Sequence, residues 1–262
     1  MMKNLSIFNI KGGVAKTTST ANFGACLSQK GKKVLLVDLD PQSNLTKLFK
    51  AYSMEDLSIA DVLLNKNLDL HNVIKKTDFE NIDILPANVN LAFAERKILL
   101  DVSRSQQNRL SKALESIKDE YDYCLIDCPP ALNMITVNAL CASDDVLVPI
   151  KIDKFALDGL EYLLDSIEEI KDEFNPSLNF KGCFITMDSA TTVNKVIKQE
   201  LKNILGDKVF NTTIKQNVKV VESTFEECPV VFSSKKARAS LNYIELSNEI
   251  FYYIFKVSPW DT

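Results

Sequence analysis

Continuous apolar runs of four to six residues alternate along this chain with longer stretches of helical periodicity. Val34–Asp38 is a continuous apolar run, the pattern of a strand covered on both faces; Leu5–Ile10 and Ile82–Leu85 read as strands, and Tyr123–Asp127, Val146–Ile150 and Cys183–Met187 as further buried strands. Helical spacing predicts a helix over Lys16–Lys30, closed by Gly31, and helices over Leu157–Asp172, Val193–Leu205 and Leu241–Phe255. Leu91–Tyr121 reads as mostly helical. Strands alternating with helices predict an α/β fold: a doubly wound, mostly parallel sheet with helices on both faces. No Gly/Ser- or Pro-rich linker divides residues 1–262, so one domain is expected, with the C-terminal helix packed on it. Such sheets take ligands at the carboxyl ends of their strands.

Composition narrows the class. The chain has 262 residues, 46% hydrophobic and 25% charged, which excludes disorder, collagen and coiled coil as whole-chain descriptions. No apolar run approaches the length of a bilayer span, and the first residues lack a secretory signal's apolar core, so the protein is expected in the cytoplasm, off the membrane. Six scattered cysteines (Cys26, Cys124, Cys128, Cys141, Cys183, Cys228) form no CxxC pair and read as reduced thiols. The single histidine, His71, excludes a multi-histidine metal site. Net charge is −4, against a protein that coats nucleic acid with its whole surface. Residues 195–238 nevertheless hold nine Lys/Arg and five acids, leaving −8 on the rest: a basic patch on an acidic body.

Glycine is scarce, seven residues in all, so the pair Gly12-Gly13 at the end of the first strand stands out. It lies in KGGVAKTT, residues 11–18, between strand and helix. A Gly-rich turn there aims backbone N–H groups at an anion, and the helix N-terminus adds partial positive charge. Lys11, Gly12, Gly13, Val14, Ala15, Lys16, Thr17 and Thr18 are the candidate nucleotide-binding residues. Lys16 would reach the terminal phosphates and the Thr17 hydroxyl would ligate Mg2+. The ordinary phosphate-loop pattern is not met, because Ile10 and Ala15 occupy its glycine positions. Ala15 is expected to be tolerated at negative φ and to cost energy at positive φ.

The Lys11-Gly-Gly-x-x-Lys16-Thr-Thr order resembles the deviant phosphate loop of the ParA/MinD family of ATPases, where a Gly normally stands at the place of Ala15. VLLVDLDPQSN (34–44), ILPANVNLAFAE (84–95), YDYCLIDCPPAL (121–132) and VLVPIKIDKFALDGL (146–160) extend the resemblance over nearly the whole chain. It implies a ParA-type partition ATPase with ATP and Mg2+ as cofactors. By that resemblance Lys16 holds the β- and γ-phosphates, Thr18 touches the α-phosphate, and Asp40 positions the attacking water. Asp127 binds the Mg2+ shell, and Asp38, on the same side of an extended strand, supports it. Lys11 is the signature lysine that crosses a homodimer interface to the partner's nucleotide. The adenine site is expected between the Met187 loop and Pro229–Phe232.

The family also implies sequence-independent DNA binding by the ATP-bound dimer, a ParB-like partner protein and association with the nucleoid. The candidate DNA contacts are Lys195, Lys198, Lys202, Lys215 and Lys219. Lys195, Lys198 and Lys202 form a stripe beside an apolar face of Val193, Val196, Ile197, Leu201, Ile204 and Leu205, and Lys215 and Lys219 follow in a strand-and-loop region. Gln216, Ala190 and Glu226-Glu227 depart from the family's basic pattern. The phosphate loop starts near residue 1, so no N-terminal operator-binding domain is expected. The competing classes are a MinD-like ATPase that positions a protein partner without DNA, a bacterial tyrosine kinase, for which Tyr252 and Tyr253 are a poor tail, and a non-hydrolysing regulator, against which Asp40 speaks. Cys128 reads as a core thiol rather than an iron–sulfur ligand.

Overall fold

The computed structural model describes residues 1–153, 157 and 159–251. The chain runs β1 (Lys3–Ile7), α1 (Lys16–Ser28), β2 (Val34–Asp38), α2 (Asn44–Leu48), α3 (Ile59–Leu64), β3 (Lys75–Lys76) and β4 (Ile82–Leu85). It continues with α4 (Asn90–Leu100), α5 (Arg109–Leu114), β5 (Tyr123–Asp127), α6 (Met134–Cys141), β6 (Asp145–Lys151) and α7 (Leu160–Glu173). Last come β7 (Asn179–Thr186), α8 (Thr192–Leu205), α9 (Val218–Phe225), α10 (Val230–Ser233) and α11 (Arg238–Ile250). One sheet has the order β3-β4-β2-β5-β1-β6-β7, all parallel except β3.

The apolar runs divide between the two faces residue by residue. Leu35 and Val37 of β2, Cys124 and Ile126 of β5, and Val146 and Val148 of β6 pack with α3–α7. Val34 and Leu36, Tyr123 and Leu125, and Leu147 pack with α1, α10 and α11. Both faces are therefore dry, which explains why these strands show no alternation in sequence. On the second face Phe23 of α1 meets Phe184 and Tyr243 edge-on at 5.5 and 5.9 Å. Gly24 brings α1 onto β2: a Cβ there would lie 2.9 Å from Leu36 Cδ2.

Several expected boundaries shift. β1 ends at Ile7, not Ile10, because residues 8–15 leave the sheet to form the turn ahead of α1. Leu91–Tyr121 is mostly helical, as expected, but in separate pieces. Asp101 accepts from the Ser103 N–H and hydroxyl and from Arg109, and this polar turn separates α4 from α5. Lys219, expected in a strand-and-loop region, lies in helix α9, started by the Asn217 side chain accepting from the Lys219 N–H. The final helix starts at Arg238; Tyr252, Tyr253 and the end of the expected Leu241–Phe255 helix fall outside the described residues. Among the described residues no helix is long and apolar enough to cross a membrane. All six cysteines are free thiols, and burial pushes Cys128 up to about 12, the state of an inert core thiol.

Candidate nucleotide site

β1, β2 and β5 lie side by side, and their carboxyl ends gather the expected residues. Ile7 pairs with Asp127, and Asp38 pairs with Asp127 across the next ladder. The turn between β1 and α1 is built by backbone contacts. Asn9 accepts from the Lys11 N–H at 2.9 Å and donates to the Pro149 carbonyl at 2.8 Å. The Thr186 hydroxyl donates to the Val14 carbonyl at 3.1 Å, tying the end of β7 to the turn. Gly13 (φ 69°) and Ala15 (φ 66°) are both left-handed. Gly13 adopts this freely; Ala15 does not, so the positive-φ case holds and the turn carries strain.

Lys16, only 7% exposed, curls over this turn and donates to the carbonyls of Asn9 and Lys11 at 2.9 and 3.0 Å. Burial pulls its ammonium below the usual lysine range, against the raising effect of Asp127 and Asp40. Asp127 is buried, and its Oδ2 has no hydrogen-bond partner among the described residues. Burial raises its carboxyl well above the usual range and nearby Asp38 adds to this, while the Thr17 hydroxyl and Lys16 act in the opposite direction. A fully enclosed, unpartnered carboxylate oxygen beside a second buried carboxylate is a poor arrangement without a cation. The donor set, hard oxygens from Asp127 and Thr17, suits Mg2+.

Asp38 sits differently from expectation. It receives the Thr46 N–H and hydroxyl at 2.8 and 2.7 Å and the Asp40 N–H at 3.0 Å. Its carboxyl, pushed up to about 6 by burial, is occupied in shaping the β2–α2 loop rather than open to a metal. That loop carries Asp40, half-buried, whose carboxylate accepts from the Gln42 N–H at 2.9 Å. Lys11 leaves the turn in the other direction and forms an ion pair with Asp153, both side chains being about one-third exposed. Thr17 and Thr18 line a cleft of about 470 Å3 with Asn22 of α1, Asn44 of α2, Ser223 and Thr224 of α9, and Pro229. The expected adenine segment is split: Pro229 reaches this cleft, but Phe232 stacks on Phe79 at 5.0 Å elsewhere.

The five candidate DNA lysines do not share one surface. Lys195, Lys202 and Lys219 are exposed. Lys198 and Lys215 turn inward onto the buried Asp188 carboxylate. The apolar face expected to bury α8 is only partly used. Leu201 is buried, whereas Val193, Val196 and Ile204 are exposed. Thr46, Asp153, Thr186 and Asp188 were absent from the sequence-derived site. Each acts through a partner eight or more residues away, and no local spacing announces it.

Comparison with known proteins settles the family. The AAA domain family model matches residues 2–180. The chain is 38% identical over 252 residues to the sporulation initiation inhibitor protein Soj of Bacillus subtilis, covering 95% of this chain and 98% of Soj. It is 36% identical to the chromosome partitioning protein ParA of Caulobacter vibrioides, covering 95% of this chain and 94% of ParA. The chain belongs to the ParA-type partition ATPases. Among solved structures, cobyrinic acid a,c-diamide synthase from Mycobacterium smegmatis, with bound ATP analog and magnesium, superposes with a TM-score of 0.86 at 29% identity, over 98% of this chain and 96% of that one. A putative plasmid partition protein from Borrelia burgdorferi B31 bound to AMPPNP superposes with a TM-score of 0.80 at 26% identity, over 98% of this chain and all of that one. In this ParA-type chain the family's phosphate-loop lysines and strand-end acids thus occur together at one end of the sheet, with Ala15 as the local departure.

Proposed function

We propose that this ParA-type chain hydrolyses ATP with Mg2+, slowly and under stimulation by a ParB-like partner, to partition DNA as an ATP-dependent homodimer in the cytoplasm and on the nucleoid. The observation that carries the nucleotide reading is the unpartnered, buried Asp127 Oδ2 beside Thr17 and Lys16. Phosphoryl transfer asks the protein for positioning and charge neutralisation rather than covalent chemistry. Backbone N–H groups of residues 12–16 cradle the phosphates, Lys16 exchanges the Asn9 and Lys11 carbonyls for phosphate oxygens, and Asp40 orients the attacking water. Thr17 and Asp127 would hold Mg2+, which neutralises phosphate charge when bound. Asp38 holds the loop that carries Asp40.

Dimerisation rests on two features. Lys11 is a second cation at the phosphate turn, pointed away from it onto Asp153. Helix α9 lines the cleft with Ser223 and Thr224 while exposing Val218, Val221 and Phe225 at i, i+3 and i+7, with Phe225 85% exposed. A second copy set against this face would cover the apolar stripe. Sequence-independent DNA binding rests on the outward Lys195, Lys202 and Lys219. The inward Lys198 and Lys215 favour the other reading, a nucleotide-switched ATPase that positions a protein partner without DNA.

Sedimentation with Mg2+ and a non-hydrolysable ATP analogue, with and without a random-sequence duplex, separates these. A dimer that binds the duplex supports partition. A dimer that ignores it at low salt leaves the partner-positioning switch, and a monomer at saturating analogue refutes both. Lys11→Ala should bind nucleotide and stay monomeric.

A further inference from the structure

The lysines of the basic segment are divided by one carboxylate. Asp188 follows β7 and its side chain is fully enclosed. Its Oδ2 accepts from Lys198 Nζ of α8 at 2.6 Å, from Lys215 Nζ, and from the Thr213 hydroxyl at 2.8 Å. Its Oδ1 accepts from the Asn194 side-chain amide at 3.2 Å. The backbone fixes the carboxylate in place: the Asp188 N–H donates to the Ile214 carbonyl at 2.9 Å, and the Asp188 carbonyl accepts from the Gln216 N–H at 3.3 Å. Asp188 thus meets two ammoniums, a hydroxyl and an amide, much as a bound phosphate oxygen would. One carboxylate against two ammoniums leaves an excess positive charge that a phosphate could satisfy equally well.

Asp188 is also two residues from the nucleotide turn's own contact. Thr186 donates to the Val14 carbonyl, and Met187 between them is held at φ 50°, a left-handed conformation that a side chain disfavours. A change in the turn is therefore passed to a short, strained segment that ends at Asp188.

We propose that Asp188 is an internal substitute for DNA phosphate: it holds Lys198 and Lys215 away from the DNA surface, and nucleotide at the turn, acting through Thr186 and Met187, releases them. This rests on the DNA-binding reading above and names what regulates it. The held and released states differ in how many cations face solvent.

The test reads lysine accessibility and DNA binding separately. The full chain is acetylated briefly with a water-soluble N-hydroxysuccinimide ester, without nucleotide and with Mg2+ and a non-hydrolysable ATP analogue, and each lysine is quantified by mass spectrometry. Lys198 and Lys215 should react several-fold more slowly than Lys195 and Lys202 without nucleotide, and approach them with the analogue. In Asp188→Asn both should react fast in either state. Without nucleotide, that variant should also bind a random-sequence duplex with a steeper salt dependence than wild type. Two added phosphate contacts make the log–log slope steeper by about 1.8. If Asp188→Asn melts early, Thr186→Val is used instead. It keeps the carboxylate and cuts the tie to Val14, so Lys198 and Lys215 should stay slow even with the analogue. Equal reactivity of the four lysines without nucleotide, or protection that nucleotide leaves unchanged in wild type, overturns the withholding whatever DNA does. Release of the lysines in a protein that binds no duplex at about 50 mM salt overturns the DNA reading, and with it the role of Asp188 as a phosphate substitute.

Discussion

Ala15→Gly should stabilise this protein, although it removes atoms and places glycine at the start of a helix. Ala15 has φ 66° and ψ 33° at the N-cap of α1 and makes no side-chain cap. The left-handed conformation costs an L-residue roughly 1–2 kcal/mol. Glycine loses about 0.4–1 kcal/mol more than alanine through the entropy of the unfolded chain. The difference leaves a net gain of about 0.5–1 kcal/mol. Nothing is lost as a cap, because glycine is a better N-cap residue than alanine. For a chain of this size each kcal/mol moves Tm by about 2–4 °C, so the variant should melt about 1–4 °C higher without nucleotide. Differential scanning calorimetry of the two proteins decides it. The nucleotide affinity of the variant should be equal or higher, because the relaxed turn aims the same N–H groups at the phosphates. A Tm at or below wild type would refute the reasoning: the left-handed alanine would then not be a source of strain, and its methyl group would be packing favourably.

Asp127→Asn should raise the nucleotide-free Tm, since relieving a buried charge that Lys16 and Thr17 only partly offset is worth on the order of 1 kcal/mol or more, and should abolish the extra thermal shift that Mg2+ adds to ATP; a variant that keeps that shift would remove Asp127 from the metal site. Asp38 is raised in the fold to about 6, so the stability it contributes is full below its unfolded value of about 3.9 and is lost as pH rises through about 6, a loss of roughly 3 kcal/mol. Chemical denaturation of Asp38→Asn and wild type should therefore show their stability difference growing between pH 4 and 7 in favour of the variant, and a pH-independent difference would contradict the burial cause. Asp40→Ala should bind ATP and dimerise but lose most hydrolysis in a phosphate-release assay; lost nucleotide affinity would place Asp40 on the nucleotide instead.

Legibility in the sequence followed the range of the interactions. The strands β2 and β5 were readable to the residue because burial on both faces leaves an apolar run that ends in a strand-end Asp, and β4 was readable although Asp83 interrupts its apolar residues. The candidate nucleotide turn was legible because its residues are contiguous: Lys11, Lys16 and Thr17 lie within one short segment that runs into α1. The conformation of Ala15 was not, since φ there is set by the turn's closure onto Asn9 and Thr186. Asp38 was placed correctly at the strand end, yet its three donors come from Thr46 and Asp40, which pattern alone does not orient. The lysine stripe of α8 was right in periodicity and incomplete in meaning. Lys198 and Lys215 meet only through Asp188, ten and 27 residues away. Helix α9 was missed because VKVVESTF is rich in β-branched residues, and its helicity depends on the Asn217 cap and on packing.

A common logic joins these details. In this structure Lys16 is bonded to two backbone carbonyls, Lys11 to Asp153, and Lys198 and Lys215 to Asp188. Each of these four lysines already has an internal oxygen partner. Binding is then an exchange of partners rather than the capture of a bare charge, so its net free energy is smaller than the contact list suggests. A switch needs this. A lysine left unpaired and buried would bind phosphate so favourably that loss of one phosphoryl group would scarcely shift the equilibrium. A lysine with a competing carboxylate sits near balance, and one charge gained or lost at the nucleotide is enough to decide which partner it takes.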